Sequence, residues 1–439
     1  MHKGLKKIGL GLVAVGLSIV LLLTGAIPVC EAGPAEKVKV VRIGNIGGYT
    51  GPAASTTLSA HLGINDYPKY MNGEIDIDET LVPEATVAQR KFFQRQGIKI
   101  EAKWEDTTSL SVSKSLTAFK RLEGAGVVAI LSTDIATVTE VLKERHQDAE
   151  IPSLWYSALT PAMVTYPIRW IIGCGPGQGP EAATFAKWAK EGLTEDRPLR
   201  IAIIGYESVS SREAAAGLEE WAPKLGVEVV NVEFVPFAVL DSSTEWLRTI
   251  AKEPDWVYVP ACMTALVVIV KDAARLGVQE KGIKLCTYDV GIDDAILKPI
   301  GKAGEGWHLI TFAPVMTEVD LRGIRFTLEM ARECRGMKPE DVSMHYAAGL
   351  LFFNLPLCEA IKVAIEKMGY ENLTGRAVRD ALMTLKDFDT EYLPPITLTE
   401  EHPYMNPKFR IYEVREGKIW PITDWIPSVY EYPELTEQG

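Results

Sequence analysis

Short apolar runs alternate with helix-length amphipathic stretches from Val38 to Thr287, and that alternation restricts the chain to parallel α/β architecture. The first strand is expected at Val38–Ile43, ended by Gly44, Gly47, Gly48 and Gly51, with a helix from about Ser59 to Met71. Strands follow at Ile98–Trp104, Val127–Leu131 and Ile151–Trp155, separated by helices at Val112–Leu122 and Val138–Arg145. That is one doubly wound unit. Arg169–Ile172 reads as an extended link, and the glycines from Gly173 to Gly179 as a flexible connector. A second unit then places strands at Arg200–Ile204, Val227–Phe234, Asp255–Val259 and Ile283–Thr287, with helices between them. Two such units imply a cleft at the carboxyl ends of both sheets.

The last third reads as helices at Leu321–Cys334, Tyr346–Met368 and Thr374–Met383, then strands at Phe409–Arg415 and Lys418–Pro421. Gly73 to Gly97 is charged and irregular, and is expected to be an insertion at the cleft rim.

The chain opens with Lys3, Lys6 and Lys7, followed by an unbroken small and apolar run from Ile8 to Leu23. This is the pattern of a secretory leader, shorter than the about 20 apolar residues of a spanning helix. Cleavage is expected after Ala32, with Ala35 as second choice, and the body is expected to work outside the cytoplasm. Val29 and Pro28 precede Cys30, where a lipid anchor would want a small residue.

At 439 residues the chain exceeds one compact core and suits two domains. The reading places one lobe at 38–165 plus about 310–395 and the other at 174–305 plus about 405–430. A net charge of −12 with no basic cluster argues against a nucleic-acid partner. The five cysteines after Cys30 show no CxxC spacing, which leaves buried free thiols or a Cys262–Cys286 bridge open.

Enzyme signatures are missing: there is no GxxxxGK[ST], GxSxG or HExxH, and the histidines lack metal-ligand spacing. The run Gly173–Gly179 fails GxGxxG at Gln178 and Pro180. What remains is a set of strand-end loops entering helices. Ser132, Thr133, Ala136 and Thr137 lie in one, and backbone N–H groups with hydroxyls there suit a carboxylate. Ordinary helix capping is the alternative. Tyr156, Ser157, Ala158, Leu159 and Thr160 form the next loop. In the second unit the corresponding loops hold Tyr206 and Glu207, Cys262 and Met263, and Asp289, the acid placed to meet an ammonium or else to cap the helix near Asp293.

In order, these segments resemble the type 1 periplasmic solute-binding proteins of branched-chain amino acid and amide ABC transporters. The resemblance covers nearly all of the chain after the leader. It rests on Val41–Gly44 with Thr50-Gly51-Pro52-Ala53-Ala54, on Trp104–Thr107, and on Ile151-Pro152-Ser153 with Ser157-Ala158. Arg200–Ile204, Pro254–Val257, Ala274–Gly277 and Tyr412–Val414 continue it. It implies two lobes joined by three crossing strands, with a ligand between them. The family's carboxylate-binding serine falls near Ala136 and Thr137, its backbone-binding position at Ser157 and Ala158, its next hydroxyl near Leu159 and Thr160, and its ammonium-binding acid at Asp289. The tyrosine of its Tyr-Gly pair falls at Ser210 and Ser211, and its lobe-two aromatics at Cys262 and Met263, which departs from a plain branched-chain amino acid site.

The expected function is a non-enzymatic receptor, monomeric and without a cofactor, that delivers a small polar solute to ABC permease subunits. Thr137, Ser157, Thr160 and Asp289 are its expected polar contacts, with Tyr49, Tyr156, Tyr206, Cys262 and Met263 as walls or core. A sensor subunit of a signalling receptor and an exported enzyme using Glu207 and Asp289 are the other classes.

Overall fold

A computed structural model describes residues 38–51, 54–108, 111–133, 136–158, 160–164 and 170–430. The leader and its cleavage site, Pro52, Ala53 and Leu159 lie outside these residues. The first unit runs β1 (Lys39–Gly47), α1 (Ala54–Met71), α2 (Glu84–Arg95), β2 (Ile98–Asp106), α3 (Val112–Gly124), β3 (Ile130–Ser132), α4 (Ala136–Ala149), β4 (Ser153–Ala158), the single turn α5 (Pro161–Val164) and β5 (Ile171–Gly175). Its strands form a five-stranded sheet in the order β2-β1-β3-β4-β5, every pair parallel. Register sets Val41 beside Ile100 and Gly44 beside Ile130.

The second unit continues through α6 (Gln178–Glu191), β6 (Leu199–Tyr206), α7 (Val209–Leu225), β7 (Val227–Val235), α8 (Ser243–Ile250), β8 (Trp256–Val259), α9 (Met263–Arg275), β9 (Lys284–Thr287), α10 (Asp294–Ile300) and β10 (His308–Thr311). Helix α7 shows why the sequence starts and stops where it does. The Ser208 hydroxyl accepts from Ser211 N–H at its start, and Gly226 takes the left-handed turn that ends it. The chain then forms α11 (Arg322–Arg335), α12 (Met344–Ala347), a π turn over Ala348–Phe353, α13 (Asn354–Met368), α14 (Gly375–Leu382), β11 (Lys408–Arg415), β12 (Lys418–Pro421) and β13 (Ile426–Pro427). The second sheet has eight strands, ordered β12-β11-β10-β9-β8-β6-β7, with β13 also on β11. β6 to β10 are parallel, and β11 joins β10 antiparallel.

Two expectations need correction, and one strand was not anticipated. Residues 73–97 are not irregular: α2 buries Thr86, Gln89, Phe92 and Phe93 on one face, a helical spacing that the surrounding charges obscure. The glycine run from Gly173 is not a flexible connector, because β5 is wholly buried. A Cβ on Gly175 would lie 2.6 Å from the Phe312 ring, so glycine serves close packing there. Residues 308–311 form a central strand that four residues beginning with a histidine did not announce.

The chain passes between the sheets after β5, returns after β10, and crosses again before β11. Asn406 ties these passages together. Its N–H donates to Cys174 O at 3.0 Å, its Nδ2 to Phe312 O at 2.8 Å, and its Oδ1 accepts from Lys408 N–H at 3.0 Å. The helix over Met344–Met368 is the one among the described residues long and apolar enough to cross a membrane, yet 83% of its apolar window is buried inside the protein.

Candidate functional site

The carboxyl ends of β1, β3 and β4 carry the first half of the site. A Cβ on Gly47 would sit 2.1 Å from Thr133 Oγ1 and 2.8 Å from the Tyr49 ring, so glycine alone lets these groups close over the strand end. Ser132 and Thr133 are buried, and their hydroxyl oxygens have no partner among the described residues. Leaving a buried hydroxyl unsatisfied costs about 1–3 kcal/mol. Tyr49 is buried against His61, ring centroids 3.9 Å apart, and its hydroxyl donates to the Asn45 amide oxygen. The Asn45 amide nitrogen lies 3.0 Å from His61 Nδ1. Burial, reinforced by Arg335, lowers the His61 pKa to about 4, so the ring is neutral. Trp104 stands edge-on to both rings and is 55% exposed.

Asp106, at the end of β2, organises the loop after β1. It accepts from the N–H groups of Tyr49 at 3.0 Å and Thr108 at 2.8 Å, and from the Thr50 hydroxyl at 2.6 Å. Burial alone would raise its pKa; the hydrogen bonds outweigh that and hold it below the usual range.

The second half lies at the ends of β6, β8 and β9. The Tyr206 hydroxyl is 3.5 Å from both Cys262 Sγ and the Tyr288 hydroxyl, and all three residues are buried. Burial pushes both phenols and the thiol up, so they stay protonated. Met263 opens α9 with φ of 56°. Asp289 is 1% exposed; its Oδ1 accepts from Gln178 Nε2 at 3.2 Å, and its N–H donates to Glu181 Oε1 at 2.8 Å. Burial, and then the Asp289 carboxylate, drives the Glu181 carboxyl well above the carboxylate range. Asp293, not Asp289, caps α10. All five cysteines after Cys30 are free, so Cys262 and Cys286 form no bridge.

The other expected residues divide. Thr160 is buried and donates to Glu140 Oε1 at 2.5 Å. Ala136 packs with Trp155, Met163, Ile171 and Tyr404. Thr137 lies in α4 and Ser157 and Ala158 in β4, with side chains outside the description. Ser210 is half-buried within α7, whereas Ser211 is fully buried, accepting from Tyr206 N–H and donating to Pro260 O. Glu207 is exposed and paired with Arg212. Tyr156 donates from its hydroxyl to, or accepts from, His345 Nδ1. Reasoning from sequence did not single out Asn45, His61, Gln178 or His345 for the site; Tyr288 lay in the strand-end loop that holds Asp289, and Asp106 carried a signal as the acid trailing the second strand. No group of three or more His, Cys, Asp or Glu among the described residues could hold a metal ion.

Residues 40–418 match the model of a family described as periplasmic binding protein. No curated protein sequence matches the chain. Among solved structures, a branched-chain amino acid ABC transporter protein from Thermus thermophilus with bound valine is 19% identical, with TM-score 0.76, covering 89% of this chain and 97% of that one. A fatty acid ABC transporter substrate-binding protein from Thermomonospora curvata is 16% identical, TM-score 0.74, covering 92% and 97%. A solute-binding protein of an ABC transporter from Rhodopseudomonas palustris HaA2, in complex with p-hydroxybenzoic acid, is 16% identical, TM-score 0.70, covering 89% and 98%. At such identities the likeness establishes the fold, an α/β architecture with parallel-sheet lobes.

Proposed function

Because this chain belongs to the periplasmic binding protein family, we propose that it is an extracytoplasmic receptor for a small polar organic solute. It takes an amino acid, amide or carboxylate between the carboxyl ends of its two sheets. Closure by hinge motion buries the solute and presents the closed form to the permease of an inner-membrane ABC importer.

The observation that carries this reading is the pair of buried hydroxyls of Ser132 and Thr133 beside Gly47, which have no partner among the described residues. They stand ahead of α4, where a helix N-terminus favours an anionic group. Valine and p-hydroxybenzoic acid, held by two of the similar proteins, and the fatty acid for which a third is named all have a carboxylate. An amino group meeting Asp289 would share its carboxylate with Gln178, which already donates to Oδ1.

The test is thermal unfolding of protein refolded to strip bound solute, against a panel of amino acids, amides and carboxylates. A true solute at a hundredfold excess over Kd adds about 2.7 kcal/mol and raises the midpoint. Thr133→Val keeps the shape and removes the hydroxyl, and is expected to weaken that solute about tenfold. A flat response to the whole panel would sink the proposal.

A further inference from the structure

Three contacts join α10 and its capping Asp293, which follow β9 of the second sheet, to residues 341–345, which pack with α1 on the first. Lys298 Nζ lies 2.6 Å from Asp341 Oδ1. The Asp294 carboxyl accepts from Met344 N–H. His345 Nε2 lies 2.9 Å from Asp293 Oδ2, near enough for an ion pair but out of hydrogen-bond alignment. The first contact is exposed and screened by solvent. The third is buried on both sides. It alone continues to the strand end, because the other ring nitrogen of His345 bonds the Tyr156 hydroxyl at the end of β4.

The two protonation states of that ring make different bonds. In the neutral ring with its hydrogen on Nε2, the phenol donates to Nδ1, and the misaligned approach to Asp293 has no full charge behind it. In the imidazolium, Nδ1–H donates to the phenol oxygen, and a full positive charge faces the Asp293 carboxylate. Buried charge pairs are weakly screened, so the second state binds the two sides more strongly.

We infer that His345 is a positioning residue: it ties the Tyr156 phenol at the first sheet to Asp293 beyond the second, and holds the halves together more firmly when its ring is protonated. The inference rests on the solute-binding reading, in which closure is the working motion. Tyr156 from β4 and Asp293 and Asp294 from α10 face the histidine, and Asp289 adds its field at Tyr156. On its own helix, Tyr346 turns away to Asp66. His61 and His146, both held to about 4, stay neutral through the interval in which imidazoles usually change charge. Asp294 does titrate there: burial, then Asp293, lifts it to about 7. A carboxyl raised by contact also favours the joined state at lower pH, so variants must separate the two groups.

The experiment is small-angle scattering of solute-free protein at pH 5.5 and 8.0. Wild type is expected to show a smaller radius of gyration at pH 5.5. His345→Gln and Asp293→Asn should shrink that difference to the share Asp294 supplies, while Asp294→Asn keeps the share that His345 supplies. Asn at 293 retains the oxygen that caps α10, so this variant reports even where His345→Gln fails to fold, and circular dichroism checks both. A full difference surviving in a folded His345→Gln or Asp293→Asn overturns the inference, as does its loss in Asp294→Asn or a flat wild-type profile. No solute enters the measurement, so these outcomes stand apart from the panel result.

Discussion

Asp66 is fully buried on α1, and four donors converge on it. Arg335 contributes Nε at 2.8 Å and a terminal nitrogen at 2.9 Å, Lys69 its ammonium at 2.7 Å, and Tyr346 its hydroxyl at 3.0 Å. Removing the acid strands two cations, each about a third exposed, and a buried phenol. Asp66→Ala is expected to cost roughly 3 kcal/mol, the low end for breaking a buried pair, read from urea unfolding at pH 7. His146 carries a pH signature of its own. It is buried, and its Nδ1–H donates to Ile151 O at 2.9 Å, while burial lowers its pKa from 6.5 to about 4. The unfolded chain binds the proton first. Stability is therefore intact above pH 6.5 and falls as pH drops toward 4, by about 3 kcal/mol in all. His146→Gln should flatten that part of the acid limb, measured as unfolding free energy at pH 7 and 4.5. At this scale residue type was legible where strand ends met hydroxyls, as at Thr133. It was not legible at His345, whose partners Tyr156 and Asp293 come from segments far away in sequence.

Helix α1 owes its place to its partner. A Cβ on Gly349 in the π turn would come within 2.0 Å of Ala60 O, a backbone atom that cannot step aside. Gly349→Ala should therefore push the two helices apart and cost about 3 kcal/mol, visible as a lower thermal midpoint. The periodic apolar faces of α1, α7 and α9 and the β-rich runs of β1 and β6 could be read directly from sequence. The π turn could not, since a sixth residue in a helical turn leaves the apolar pattern of an already all-apolar stretch unchanged. β5 and β10 escaped for a related reason. Each is four or five residues long and buried on both faces, so no alternation marks it.

Asn406 acts on the whole molecule, since one side chain and its backbone bond all three passages between the sheets. Asn406→Ala removes two of those bonds. Hydrogen exchange at Lys408 N–H is expected to quicken about tenfold, with amides in the centre of β6 unchanged. Two α/β units and the family resemblance were legible in the chain at this scale, but not the order in which its ends return. That order has a consequence for timing. Val40 N–H bonds the Tyr370 hydroxyl, 330 residues away, and α1 rests on a helix that begins at Met344. The second sheet, likewise, lacks β11 and β12 until the last residues arrive. Neither half can finish its packing while the chain is still emerging. Loops that long close slowly. On the proposed route across a membrane, such a topology keeps the chain threadable until all of it has been made.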